Sequence, residues 1–362
     1  MEPLASSHEP PPLRLVSWNV TYRCNLSCAH CYNDAGKGHT GPELSTDAAK
    51  GLIDQVAELG SPVLVLSGGE PLLRGDLLEL ARHGTGRGLR MALGTNGTLI
   101  DEAVAEELRG AGIAKAAISL DSARPGVHDR FRGVPGCWAR AVEGIRACRD
   151  AGLAVQLHTT VTVENYHDLD AIIDLGEDLG IRDFQVFFLV PTGRGRNVQD
   201  VSPGAYESLI RRILQRITTS DLEIRPTCAP QFMRIATRMG IRKESWRQGC
   251  IAGRSYCRIT PDGEVTPCPY LPVGVGNVRD TPFAEIWSGS TVLQRLRDPG
   301  ALQGKCGRCE YAGICGGCRA RAYGLAGGST YSCGGAGEPG EGSWLAEDPW
   351  CPYEPGSAEG TA

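Results

Sequence analysis

The first 225 residues alternate between two hydrophobic periods. Short apolar runs rich in β-branched residues, such as 62–67 and 184–190, are separated by stretches with apolar residues at helical spacing. Six such units, beginning with a strand over 13–20, predict parallel strands joined by right-handed helical crossovers. A further short strand is expected at 222–225. Six units are too few for an eight-fold barrel, so we predict an α/β fold with a partial (β/α)6 TIM-type barrel.

The polar motifs of this region lie where the predicted strands end. They are Gly68, Gly69 and Glu70 after the second strand, Asn96 after the third, and Ser119 and Asp121 at the end of the fourth. Because β/α folds place their sites at the carboxyl ends of the strands, we expect a binding site there. Taken alone, the Gly-Gly-Glu-Pro stretch is equally typical of a tight turn, and Asp121 could cap a helix.

The pattern changes after Pro226. Residues 250–355 are rich in Gly, Pro and Cys and show little helical periodicity beyond 283–296. Such a region cannot easily fold by apolar burial alone, and metal ligation would compensate. We therefore predict a small cysteine-rich domain at 250–355, joined by a linking segment at 226–249 to a core at 13–225, with a disordered tail at 1–12.

Composition and charge narrow the class of protein. The chain has 362 residues, 41% of them hydrophobic, a net charge of −5 and a pI near 5.9. The acidic balance gives no reason to expect nucleic acid binding. The N-terminus lacks the features of a signal peptide, and no apolar run approaches the roughly 18 residues that span a bilayer. We expect a cytoplasmic protein that binds neither nucleic acid nor membrane.

Fifteen cysteines are more than core packing needs. In a reducing compartment they indicate metal binding rather than a disulfide framework. Cys24, Cys28 and Cys31 are separated by three and two residues. Three thiolates can hold a four-iron cluster and leave one iron open, although a zinc site could use the same spacing. Cys137 and Cys148 lie in or beside predicted helices and are expected to be buried free thiols.

The cysteine trio after the first strand, Gly68-Gly69-Glu70 after the second and the β/α repeat together resemble the radical S-adenosylmethionine (SAM) superfamily. The resemblance implies that Cys24, Cys28 and Cys31 hold a 4Fe–4S cluster that binds SAM and yields a 5′-deoxyadenosyl radical. It also implies further cofactor contacts. These are His30 near the adenine, Gly68 and Gly69 with Glu70 near the methionine amine, and Ser119, Asp121 and Asn96 near the ribose.

The C-terminal cysteines resemble the SPASM extension of radical SAM enzymes, with one spacing of two residues where the family usually has three. The resemblance implies a small C-terminal iron–sulfur domain with one or two auxiliary 4Fe–4S clusters. The implied ligands are Cys250, Cys257, Cys268 and Cys318 for one cluster and Cys306, Cys309, Cys315 and Cys351 for the other. A zinc ribbon, a single auxiliary cluster and the use of Cys333 in place of Cys351 stay open as alternatives.

Longer motifs resemble the tetrapyrrole-modifying subgroup. They lie at 131–136, 187–194, 226–232, 315–323 and 347–355. The resemblance implies an enzyme that modifies propionate side chains of a siroheme-derived iron tetrapyrrole in heme d1 or heme biosynthesis. The motifs at His30-Cys31 and at 94–98 favour the heme d1 branch. A small electron donor such as ferredoxin or flavodoxin is the implied partner.

Two sets of residues are candidates for contact with such a substrate. Arginine binds carboxylates in a bidentate manner, and the arginines in the shared motifs could pair with propionates or be solvated surface charges. They are Arg132, Arg194, Arg196, Arg319 and Arg321. Cys228 is the candidate catalytic residue, as an axial ligand of the substrate iron or a hydrogen donor, with a buried structural thiol as its alternative. A SPASM-type peptide maturase and a non-catalytic iron–sulfur electron carrier are the rival functions.

Overall fold

A single curved sheet organises the protein, whose computed structural model describes residues 10–36, 41–325 and 343–357. The strands are β1 Leu15–Asn19, β2 Val63–Ser67, β3 Arg90–Thr95, β4 Ile113–Ser119, β5 Ala154–Val161, β6 Asp183–Phe188, β7 Glu223–Thr227, β8 Tyr256–Ile259, β9 Glu264–Thr266 and β10 Gly276–Asn277. Their spatial order is β10-β9-β8-β1-β2-β3-β4-β5-β6-β7. Strands β1 to β7 are parallel to their neighbours, as expected for β/α units.

The helices cover the outer face of the sheet and the C-terminal region. They are α1 Thr46–Glu58, α2 Leu77–Gly86, α3 Glu102–Gly110, α4 Pro125–Arg132, α5 Cys137–Asp150, α6 Leu169–Asp178, α7 Pro203–Thr218, α8 Phe232–Arg238, α9 Phe283–Gly289, α10 Thr291–Arg297, α11 Gly304–Arg308 and α12 Arg319–Leu325. Side chains cap several helix starts: Ser45 accepts from the N–H of Ala48 at α1, and Asp101 accepts from that of Val104 at α3.

The two faces of the parallel sheet differ in chemistry. Residues such as Val16, Trp18 and Leu66 are fully buried on the face covered by helices. The inner face of the partial barrel is polar and only partly buried. One row across it consists of Ser119, His158, Gln185 and Arg225, which are paired in register on β4 to β7. Because side chains alternate between faces along a strand, these four share the inner face.

The predicted α/β partial barrel is confirmed, including the short strand near 222–225, which is β7. The cysteine-rich segment continues the same sheet, because β8 pairs in parallel with β1 and β9 pairs with β8. The predicted domain boundaries stay a prediction. Cys333 and most of the predicted tail lie outside the described residues. No helix in the described part of the chain is long and apolar enough to cross a membrane.

Candidate active site and cysteine groups

The loop after β1 brings Cys24, Cys28 and Cys31 into one small apolar cluster with Leu26 and Ala35. Backbone hydrogen bonds fix this loop against the end of α4, since Ser27 N donates to Arg132 O (3.1 Å) and Ala29 N to Phe131 O (2.9 Å). Cys24 and Cys28 are buried. The predicted trio is therefore assembled at the carboxyl end of the sheet.

A guanidinium lies beside this thiol trio. Arg132 approaches Cys28 Sγ at 3.7 Å and donates from Nε to Asp121 Oδ2 at 2.5 Å. Burial raises the pKa of the Cys28 thiol, and the positive charge of Arg132 opposes that rise. Because a metal ligand must be a thiolate, the arginine favours the form that binds iron.

The donor set fits a four-iron cluster with one open position. A fourth thiol, that of Cys137, packs in the same apolar cluster but donates to Asp129 Oδ1 at 3.3 Å. Three thiols are left for iron, and Cys137 behaves as the predicted buried free thiol. Among the described residues, no three Cys, His, Asp or Glu side chains converge on one point as a single metal ion requires.

The Gly-Gly-Glu turn is packed directly against the cysteine loop. A Cβ on Gly69 would lie 2.2 Å from Arg23 O, so only glycine allows this approach. Glu70 is fully buried and accepts hydrogen bonds from Thr95 Oγ1 (2.7 Å) and Asn96 N (2.9 Å). Burial raises the pKa of Glu70 to about 7, against the effect of these hydrogen bonds. The structure uses Glu70 to tie the ends of β2 and β3 together.

The other predicted cofactor residues differ in how many hydrogen bonds their side chains already make within the protein. Asn96 donates to Asn25 Oδ1 in the cysteine loop (2.8 Å), and Asp121 accepts from Thr160 N (2.8 Å) as well as from Arg132. Both carboxylate oxygens of Asp121 are thus occupied by the protein. Ser119 lies partly exposed on the inner face. The roles of these residues toward SAM stay predictions.

His30 has an unsatisfied polar atom at the predicted adenine position. Its ring stacks on Phe131 with centroids 4.3 Å apart and planes 8° from parallel. Its Nδ1 is buried and has no hydrogen-bond partner among the described residues. Burial lowers the pKa of His30 to about 3, so the ring is neutral at neutral pH. A buried, neutral and unpaired ring nitrogen fits a site that a polar ligand completes.

One set of C-terminal cysteines lines a common cavity. Cys306, Cys309, Cys315 and Cys351 border it together with Asp348. Cys306 Sγ also accepts from the backbone N–H of Asp348 at 3.3 Å. These four thiols are the set expected for one auxiliary cluster, and Cys351 is among them.

The other predicted set is only partly assembled. The pKa of the buried Cys268 thiol is raised mainly by burial, and the negative charges of Cys250 and Cys318 raise it further. Cys257 lies in the hydrophobic core on the opposite face of β8. Asp348 connects the two C-terminal sets, because its carboxylate accepts from the N–H of Cys318 at 2.8 Å while its own N–H donates to Cys306.

All five candidate arginines of the shared motifs are engaged by the protein. Arg194 donates to Cys28 O (2.9 Å) and Ala35 O (3.0 Å) and so clamps the cysteine loop. Arg319 donates to the carbonyls of residues 344 and 346, and Arg321 is fully buried against Leu189 O. Arg196 donates to Gly193 O. These contacts, with that of Arg132 to Asp121, give the five arginines structural partners.

Arg225 is the residue that the sequence interpretation missed. It lies on the inner face beside Gln185, and among the described residues its guanidinium has no hydrogen-bond or ion-pair partner. Burial lowers its pKa. An arginine in the predicted strand at 222–225, two residues before Thr227 on the same face, was the available signal.

Comparisons with known proteins agree with this geometry. Residues 18–176 match the model of the Radical SAM superfamily, and residues 250–319 match that of the SPASM iron-sulfur cluster-binding domain. An AdoMet-dependent heme synthase of Methanosarcina barkeri is 42% identical over 354 residues, covering 95% of this chain and 97% of that protein. A pre-heme d1 synthase of Dinoroseobacter shibae is 34% identical over 97% of this chain and 89% of its own.

The fold has a close structural counterpart. The crystal structure of Streptococcus suis SuiB bound to S-adenosylmethionine superimposes with a TM-score of 0.73, at 15% identity, over 95% of this chain and 78% of that chain. The matched domains and the relatives of 34–42% identity show that the protein is a radical SAM enzyme with an iron–sulfur SPASM domain. It belongs to the family that includes the AdoMet-dependent heme synthases and the pre-heme d1 synthases. Identity is higher with the heme synthase, the opposite of the order that the short motifs favour.

Proposed function

We propose that the protein converts propionate side chains of a siroheme-derived iron tetrapyrrole into vinyl groups. When bound, the cluster and SAM supply a 5′-deoxyadenosyl radical that can abstract hydrogen from an unactivated carbon. Each converted propionate would lose one hydrogen atom, carbon dioxide and one electron. The heme d1 alternative, in which the propionate is removed, is less favoured because identity is higher with the heme synthase.

The guanidinium of Arg225 has no partner among the described residues, and this is the observation that supports a carboxylate substrate. A partly buried cation without a protein partner is unfavourable unless a ligand supplies the opposite charge. Propionate carboxylates supply that charge and match the bidentate geometry of arginine. Gln185 pairs in register with Arg225, and its side chain donates to Thr227 Oγ1 at 2.9 Å, so two neutral hydrogen-bonding side chains lie next to the cation on this face.

The inner face lies between the radical-generating residues and the auxiliary cysteines. On one side, burial lowers the pKa of His158 to about 4, and the positive charge of Arg132, beside the cysteine trio, adds to this effect. On the other side, Tyr32 follows the cysteine loop and packs edge-on against Tyr270 at 5.2 Å. The negative charges of Cys228 and Cys268 add to the effect of burial in raising the pKa of Tyr270. A substrate on this face would thus lie between the two ends of an electron path.

The chain's own residues would perform several tasks. Cys24, Cys28 and Cys31 would hold the cluster, Arg132 and Arg194 would fix the loop that carries it, and His30 with the Gly-Gly-Glu turn would border SAM. Arg225 would hold a propionate on the inner face. The electron released by the substrate would leave through the C-terminal cysteines, and a small donor such as ferredoxin or flavodoxin would supply the reducing electron in the cytoplasm.

The test is a substrate panel. The protein is reconstituted anaerobically with iron and sulfide and given SAM, dithionite and iron tetrapyrroles that carry two, four or eight carboxylates. Mass spectrometry should detect loss of carbon dioxide and two hydrogens per converted propionic acid, with formation of 5′-deoxyadenosine. Formation of 5′-deoxyadenosine without any change in tetrapyrrole mass would refute the substrate class. A non-catalytic electron carrier would form none, and a peptide maturase would leave every tetrapyrrole intact.

A further inference from the structure

The cavity bordered by Cys306, Cys309, Cys315 and Cys351 already surrounds one of its thiols with donors. Cys306 Sγ accepts from the backbone N–H of Asp348 at 3.3 Å and from the guanidinium of Arg319 at 3.6 Å. A Cβ on Gly317, whose φ is +60°, would lie 2.9 Å from the same sulfur, so glycine is what lets the backbone approach it. Donors of this kind around cysteine sulfur suit an iron–sulfur cluster. The four thiols thus fit the cluster that the SPASM match implies.

Gln231 forms part of the wall of this cavity. It ends the turn that follows β7, which begins at Cys228 with a φ of +59°. The turn packs closely against the cysteine-rich segment, since a Cβ on Gly249 would lie 2.6 Å from Pro230 O and 2.8 Å from Cys315 O. The backbone of Gln231 is therefore held directly beside the loop that carries one of the four thiols.

The side-chain amide of Gln231 has no hydrogen-bond partner among the described residues. Its side chain is 1% exposed, and both Nε2 and Oε1 are buried without a partner there. The amide does not cap α8 either, although Gln231 occupies the position before the first helical residue. Burial of an unsatisfied amide is unfavourable, and buried polar groups in native proteins almost always have partners. The amide is therefore suited to a polar group that enters the cavity.

The cations of the cavity wall differ from Gln231, because the protein itself engages them. Arg234 Nη2 donates to Glu207 Oε2 at 2.6 Å, and its guanidinium lies 4.5 Å from the centre of the Tyr353 ring. Lys305 Nζ donates to the backbone oxygen of Cys351 at 2.6 Å. The charges of this wall are thus committed to the protein, and the amide of Gln231 is available to a ligand.

We propose that the amide nitrogen of Gln231 donates a hydrogen bond to a sulfur of the auxiliary cluster held by Cys306, Cys309, Cys315 and Cys351, and thereby raises its reduction potential. The sulfurs of a cluster accept hydrogen bonds, so the nitrogen is the end of the amide that meets them. Reduction adds negative charge to the cluster, and a donor therefore stabilises the reduced form more than the oxidised form. The proposal rests on these four thiols holding a cluster. It goes beyond the proposed function, because no tetrapyrrole is needed to test it.

The test is a redox titration, followed by EPR, of Gln231→Leu and of the matched variant Gln215→Leu. Gln215 is exposed on the outer helix α7. Both changes are made in full-length protein in which the three cysteines of the loop after β1 are replaced by alanine, so that the auxiliary clusters alone contribute, with about eight irons per chain. Leucine fills the site of the amide but donates no hydrogen bond.

Q231L should keep about eight irons, and one of its two clusters should be harder to reduce. Loss of one hydrogen bond should change the reduction equilibrium by about 3- to 10-fold, which for one electron is a potential lower by about 30–60 mV. Q215L should match the background protein. The shifted signal should be the one that Cys309→Ser alters, since that change replaces a sulfur ligand of the same cluster with oxygen.

Three results would overturn the proposal. The first is a Q231L protein whose potentials equal those of Q215L. The second is a shift confined to a signal that C309S leaves unchanged, which would assign the amide to the other cluster. The third is loss of about four irons in Q231L, which would mean that the amide holds the cysteine loop in place. Failure of the substrate panel beside the expected shift would refute the proposed function alone.

Discussion

Replacing Arg225 by methionine should weaken substrate binding and at the same time stabilise the protein. The guanidinium of Arg225 lies on the inner face without a carboxylate partner in the described chain, and burial lowers its pKa. Among the described residues, no group offsets the cost of this partly desolvated cation. Methionine keeps most of the side-chain volume and removes that cost.

The size of the binding effect follows from the interaction that is lost. A hydrogen bond between charged groups contributes about 1.5–3 kcal/mol, which corresponds to about a 10- to 150-fold weaker Kd. Arg225→Lys keeps the charge but loses the bidentate geometry, so its Kd should lie between those of R225M and the wild type. The assay is a titration of the reconstituted protein with iron coproporphyrin III, followed by the change in tetrapyrrole absorbance, together with thermal melts without ligand.

Arg212→Met is the matched control. Arg212 pairs with Asp170 on the outer helices α7 and α6, and both side chains are exposed. Its removal should change stability by about 0–1 kcal/mol and leave the Kd unchanged. An R225M protein that binds the tetrapyrrole as tightly as the wild type would refute the assignment of Arg225 to the substrate. A clear loss of thermal stability would show instead that its guanidinium has a partner in the protein.

Variants at three further buried sites test the structural roles of buried charge. Arg132→Met leaves the Asp121 carboxylate buried without its cation and should lower the free energy of unfolding, measured in thermal melts, by about 3–5 kcal/mol. Adding Asp121→Asn to R132M should recover part of this loss. Burial lowers the pKa of His128 to about 4, whereas the pKa of this side chain in the unfolded chain is near 6.5. The folded protein should therefore lose stability as the pH falls below 6.5, by about 2 kcal/mol at pH 5. His128→Asn should flatten that pH dependence, and an unchanged slope would contradict the assignment. Asp348→Ala breaks a buried pair with Arg321 and should cost about 3–5 kcal/mol, whereas Asp348→Asn, which can still accept from Cys318 N, should cost less.

The fold was largely predictable because its signals are local. Alternating strand and helix periods identify the β/α units, and the polar motifs at the strand ends identify one edge of the sheet as the site. The parallel pairing of β8 with β1 was not predictable, since it joins residues about 240 positions apart whose local composition suggested a separate domain.

The roles of single residues were less predictable for a similar reason. Arg194 was one candidate for contact with a propionate, with a solvated surface charge as the alternative. It donates instead to Cys28 O across 166 residues of sequence, and no local pattern records such a contact. Cys257 illustrates what closer reading could have shown. In the strand Tyr-Cys-Arg-Ile, alternation places Tyr256 and Arg258 on one face and Cys257 on the other. The spacing between cysteines alone does not contain that information.

Deuterium transfer from the substrate tests the central claim most directly. Iron coproporphyrin III labelled with deuterium on its propionate methylenes is incubated anaerobically with the reconstituted protein, SAM and dithionite. We expect 5′-deoxyadenosine that carries one deuterium, together with a tetrapyrrole in which propionates have become vinyl groups. Unlabelled 5′-deoxyadenosine beside an unchanged tetrapyrrole would show that the radical is formed but acts on a different substrate.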